Sequence, residues 1–226
     1  LLLEAEFLAA EEATEERASR RQPVPPEEEV AHLMRFADLA LKIGRLRSGL
    51  EACRQALKMA GQSDVVTMAS LGLLHTKLLL RSMQLNEALE AARTALAPNF
   101  ILKGSVPRAL AVQIAAHEAE ALVMLGEPAT ARERLEAEGL DGEAGNEDRS
   151  LPLFLAYAEV LAYLGDRAVA LDLMNEALTS AESRGDSVAL VQALNARARM
   201  LLLAGTPDLA IEDVRKALAL ASEVPD

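Results

Sequence analysis

The chain has 226 residues, 51% of them hydrophobic but only 3% aromatic, with no Trp. Ala and Leu supply most of the apolar surface, and both form helices readily, so the composition points to an all-α chain of one elongated domain or two small ones. The net charge of −12, with Lys and Arg scattered among acids, argues against direct nucleic-acid binding. The single cysteine, Cys53, rules out an intrachain disulfide and fits a cytoplasmic location.

The chain opens "LLLEAEFLAAEEATEER". This apolar run is too short for a membrane span and lacks the basic lead of a signal peptide, so no membrane partner is expected. The absence of an initial Met fits a segment of a longer protein. Residues 1–29 are expected to form an N-terminal helix and a Pro-rich connector, "RQPVPPEEE", that detaches it. The helix's second half, "EEATEERASRR", is too polar for a repeat core. It reads as a cap or connector, with the end of a preceding repeat as the other option.

From Val30 onward one frame recurs. A small residue is followed seven positions later by a turn glycine, five later by a second small residue, and seven later by a third. The first copy has Ala37, Gly44, Gly49 and Ala56. A degenerate second copy has Thr76, Met83, Ala88 and Ala95. After an irregular linker, "APNFILKGSVPR", the third has Ala119, Gly126, Ala131 and Glu138. A further linker, "GLDGEAGNEDRS", leads to Ala158, Gly165, Ala170 and Ala177, and the last copy has Ala198, Gly205, Ala210 and Ala217. Two antiparallel helices that pack closely need a small residue on each where they cross, and glycine accepts the positive φ of a tight helix end. In the last copy Thr206 is expected to cap the second helix, with Pro207 at its first position.

The frame resembles the tetratricopeptide repeat (TPR). The fourth copy places Phe154, Tyr157, Ala158, Leu161, Ala170 and Met174 at the family's positions, and the first places Leu33, Phe36, Ala37, Ala40, Gly49 and Cys53. The family's Trp and helix-ending Pro are missing. Corresponding positions lie 39–43 residues apart, against 34 in the standard repeat. Long repeats of this kind are similar to the TPR arrays of bacterial signal-responsive regulators, including the maltose-regulator type, and to those of kinesin light chains. The resemblance implies an α-solenoid of five helical hairpins in a right-handed superhelix, at about 30–68, 69–111, 112–150, 151–190 and 191–226, preceded by the N-terminal helix.

In such a stack the first helices line a concave groove. Helical spacing then places Asp38, Lys77, Glu120, Glu159 and Arg199 in one row along it. Ala31, Ser70, Gln113, Pro152 and Gln192 form a second row, and Met34, Leu73, Ala116, Leu155 and Asn195 a third. Candidate partner-binding residues are therefore Met34, Asp38, Lys77, Gln113, Glu120, Glu159, Gln192, Asn195 and Arg199, with a Glu159–Arg199 ion pair as the structural alternative. The family's carboxylate clamp for chaperone C-termini is not expected, because Met34 and Asp38 stand where Lys and Asn would be required.

No catalytic or metal constellation emerges. His117-Glu118 lacks the second histidine of HExxH, since Ala121 stands there. His32, His75 and His117 read as helix-surface residues of separate repeats, and Cys53 as a buried thiol at a core position. The acidic loop Asp141–Asp148 lacks the alternation of a calcium loop. The expectation is a non-catalytic scaffold or sensor module without cofactor that binds a protein or peptide within a larger regulator. The alternative is a self-association platform that dimerises through its terminal repeats, where Val214 and Leu218 form an apolar edge.

Overall fold

The computed structural model describes residues 2–19, 25–61, 64–97, 106–140 and 151–223. The linker expected from Ala97 and the acidic loop Asp141–Asp148 lie wholly or mostly outside them. The described residues form eleven α-helices and no strand: α1 (Leu2–Ser19), α2 (Pro26–Lys42), α3 (Leu46–Met59), α4 (Val65–Arg81), α5 (Leu85–Leu96), α6 (Arg108–Met124), α7 (Pro128–Leu135), α8 (Leu151–Leu164), α9 (Arg167–Arg184), α10 (Ser187–Leu203) and α11 (Pro207–Glu223). A single π-helical turn, Glu136–Leu140, follows α7. Glu138 stands there in place of the third small residue and pairs with Arg134 at 2.7 Å.

The five turns of the frame share one geometry. Gly44, Gly126, Gly165 and Gly205 have φ between 77° and 98°. The amide directly after each of these glycines reaches back five residues, as in Arg45 to Ala40 (2.8 Å) and Asp166 to Leu161 (2.9 Å). This is the Schellman closure, which satisfies carbonyls the helix end leaves open. Met83 takes the glycine's place with φ 59°, the one described non-glycine residue in the left-handed region, and the same bond forms from Gln84 to Leu79 at 2.9 Å. Thr206 departs from expectation. Its hydroxyl donates back to the Leu201 carbonyl of α10 at 3.0 Å, reinforcing the closure. Asp64 and Asp186 cap α4 and α10, accepting from Thr67 and Ala189 amides at 3.0 and 2.9 Å.

The chain divides into two compact units, Leu1–Ala121 and Leu122–Asp226. In the first, the small residues set helix spacing. A Cβ on Gly49 would lie 2.8 Å from Leu78 Cδ2 and 3.1 Å from Ala40 Cβ, so α3 lies hard against both α2 and α4. A Cβ on Gly72 would lie 2.4 Å from that of Ala95, which fixes α4 on α5. Leu33, Leu71, Leu78 and Leu79 fill the space between and are buried; each stabilises the fold by about 2 kcal/mol on area grounds.

The N-terminal helix is docked rather than detached. Phe7 stacks on Phe36 with ring centroids 5.0 Å apart. Thr14 Oγ1 lies 2.8 Å from His32 Nε2, and Arg17 pairs with Glu29 at 3.2 Å. Phe7, Ala10, Thr14 and Arg17 are spaced three, four and three apart. So are Leu171, Met174, Leu178 and Ala181 of α9, the first three of which share core clusters with α10. Thus α1 meets α2 with the stripe by which a second helix meets the next first helix. Its polar half takes part through hydrogen bonds instead of apolar packing.

In the second unit Ala158 and Ala170 are fully buried in one cluster with Leu161, Met174, Ala196 and Met200. Phe154, Leu178, Ala193, Leu194 and Ala217 form the adjoining cluster. The counterparts of the α9 stripe on α11, Ile211, Val214 and Leu218, are 48%, 49% and 71% exposed.

Candidate functional site

In the first unit the expected groove residues lie on α2, α4 and α6. Leu73 and Ala116 are buried, while Met34 is half-buried against the main core. Asp38 pairs with Lys42 of its own helix at 3.0 Å. Lys77 is half-buried and makes no ion pair among the described residues; burial pulls its pKa below the usual lysine value, and the nearby Asp38 charge partly opposes this. Gln113 is half-buried. Glu120 is exposed, with one carboxylate oxygen 3.0 Å from His117 Nδ1.

In the second unit α8 and α10 bring Glu159 and Arg199 together. Arg199 Nε donates to Glu159 Oε1 at 2.8 Å, and Nη2 donates to the same oxygen. The expected Glu159–Arg199 ion pair is thus formed, with the Arg199 side chain 63% exposed. Gln192 and Asn195 share the α10 face with Arg199; both are exposed, and neither amide has a hydrogen-bond partner among the described residues.

The remaining reactive side chains have structural surroundings. Cys53 is buried, its thiol 3.7 Å from the Leu71 carbonyl, and burial pushes its pKa up to about 12, so the thiolate is disfavoured. His32 is buried, contrary to the surface reading, because α1 covers it. Burial lowers its pKa, helped by Arg17 and Arg35 and opposed by Glu29. His75 is half-buried with Nε2 unpartnered among the described residues, and burial lowers its pKa too. Those residues hold no cluster of three or more metal-ligating side chains and no helix long and apolar enough to cross a membrane.

Two polar links escape a reading based on periodicity. Arg197 of α10 donates twice to Asp213 of α11, both at 2.7 Å, and once to Asn175 of α9 at 2.8 Å. Asp213 is only 3% exposed. The signal was present: Asp213 is a charged residue on the side of α11 that carries Ala210 and Ala217. Arg93 of α5 meets the buried Glu118 of α6 at 3.0 Å.

Helical hairpins joined by Schellman turns and spaced by small residues define a TPR-like helical-repeat fold. Known structures of the same architecture agree. BtubC (BKLC) from P. vanneervenii is 20% identical, with 100% of this chain and 95% of that one covered and a TM-score of 0.63. A tetratricopeptide repeat protein from Parabacteroides merdae is 16% identical, with 96% and 73% covered and a TM-score of 0.59. A Rap protein solved in complex with Competence and Sporulation Factor is 12% identical, with 96% and 70% covered and a TM-score of 0.58. No protein-family model and no curated protein sequence matches the chain.

Proposed function

We propose that the chain is a non-catalytic scaffold that binds a protein or peptide on the inner faces of its first helices, as a module of a larger, bacterial-type regulator. The carrying observation is the α10 face, where the Gln192 and Asn195 amides stand exposed, without a hydrogen-bond partner among the described residues, beside Arg199. An amide that both donates and accepts can pair with extended peptide backbone, and Arg199 can exchange Glu159 for a ligand carboxylate. That a Rap protein of this architecture was solved with Competence and Sporulation Factor supports a binding role. The test is selection from a displayed random-peptide library, followed by calorimetry of the enriched peptides. Asn195→Ala should weaken them by about 0.5–1.5 kcal/mol and Arg199→Glu by at least as much. Enriched peptides that bind both variants as well as the parent chain would place the site elsewhere.

A second reading, self-association, is favoured by the exposed Ile211, Val214 and Leu218 of α11. It requires a dimer by light scattering that Leu218→Glu dissociates. A parent chain that stays monomeric at high concentration would end it.

A further inference from the structure

We propose that the outer face of α3 is a docking surface for an acidic segment of a partner protein, a site separate from the inner faces. In a chain of net charge −12, the stretch from Arg45 to Lys58 carries four cations against one acid, Glu51. Arg47, Glu51, Arg54 and Lys58 follow one another at four, three and four residues, so they form one stripe along the helix, about 16 Å long. All four are exposed. Arg47 and Lys58 have no ion pair among the described residues, and Arg54 has only Glu87 of α5, at 3.4 Å, with both side chains more than half exposed. An exposed cation is already well hydrated, so a single carboxylate adds little to it, and recognition rests on several such pairs forming together along the stripe.

The stripe lines a cleft of about 730 Å³ together with the apolar Leu46, the buried Leu50, and Ser82 and Gln84 of the α4–α5 turn. A segment with carboxylates at helical spacing could pair with Arg47, Arg54 and Lys58 while an apolar side chain enters the cleft. The acidic remainder of the protein repels such a segment elsewhere, which steers it to this face. Phosphate polymers could use the same cations, but the net charge of −12 opposes a polymer far more than it opposes a short segment.

The probe is a fluorescein-labelled, Ala-based helical peptide with glutamates at every third and fourth position and one leucine, beside its Glu→Gln counterpart and a labelled single-stranded oligonucleotide. Anisotropy is read at about 0.05 and 0.15 M salt. The Glu peptide should bind, more weakly at the higher salt, and the Gln peptide should not. Arg47→Glu with Lys58→Glu, two exposed positions without an ion pair among the described residues, should weaken it about tenfold or more, whereas the charge-matched Arg167→Glu with Arg184→Glu should change it less than about twofold. Circular dichroism melts confirm that both variants fold. Equal losses in the two variants, binding of the Gln peptide, no binding at either salt, or tighter binding of the oligonucleotide would each overturn the proposal. Success or failure here leaves the α10 reading untouched, because its library test uses different variants.

Discussion

The turn at Met83 offers the sharpest test of the repeat frame. Four copies place glycine at this position with φ of 77–98°, and the second places Met83 at 59°. A side chain held in the left-handed region costs about 1–2 kcal/mol. Glycine removes that strain but gives the unfolded chain more freedom, which costs about 0.5–1 kcal/mol. Met83 is 64% exposed, so truncating it forfeits little burial. Met83→Gly should therefore stabilise the first unit by about 0.5–1 kcal/mol. The mirror experiment is Gly165→Ala, at φ 98° with nothing within 4 Å of the added Cβ. Space is no obstacle there, so backbone strain of about 1–2 kcal/mol, offset by the about 0.5–1 kcal/mol that alanine gains by restricting the unfolded chain, should leave a net loss of about 0.5–1 kcal/mol in the second unit. Urea unfolding, with amide exchange at the Met83, Gln84, Gly165 and Asp166 turn hydrogen bonds as a local readout, separates the two units. Met83→Gly that is neutral or destabilising, together with a harmless Gly165→Ala, would refute the claim that these turns share one conformational demand.

Ala170→Leu should wedge α8 from α9 and cost about 1–3 kcal/mol by overpacking the site where Ala170 is fully buried; an unchanged melt would remove the crossing from the account. Asp213→Ala strands Arg197, whose side chain is 23% exposed, and should cost about 3 kcal/mol, while Asp213→Leu with Arg197→Met should come back towards the parent; if the double variant is no better than the single, the stranded charge is not the cause. The docking of α1 should weaken in acid. The folded pKa of His32 lies below its unfolded value of 6.5, so its contribution is complete above 6.5 and is lost as pH falls through the folded value. Nuclear magnetic resonance titration of α1 methyl groups should show release under acid that His32→Gln abolishes, and a release that survives the substitution would assign it to other groups.

The hairpins were legible in the linear order because their causes are local. A turn glycine five residues before a small residue needs only the conformations and hydrogen bonds of its immediate neighbours, so five turns could be placed from spacing alone. Met83 shows the same local frame overriding a residue's own preference, since the flanking helices close through Leu79 and Gln84 whatever stands between. Met83 itself gave no sign of this, because strain at φ 59° exists only once both helices are packed.

The candidate site was legible in part. Spacing placed Gln192, Asn195 and Arg199 on one face of a helix, but the pairing of Arg199 depends on Glu159, forty residues earlier. Whether the two approach is decided by how α10 lies on α8. The polar half of α1 looked unfit for packing because composition measures apolar content, whereas Thr14 and Arg17 find their partners, His32 and Glu29, only after α1 lies antiparallel on α2. Likewise Asp213 looks like any surface acid until α11 turns it toward Arg197. The charge of α3 is a property of its residues, but their lack of partners is not: only the packed neighbours leave Arg47 and Lys58 free among the described residues and place the cleft beside them. Short-range periodicity thus determines which residues share a helix face, while long-range register decides which faces are covered, because partners distant along the chain are chosen by the geometry of the whole stack and not by any local pattern.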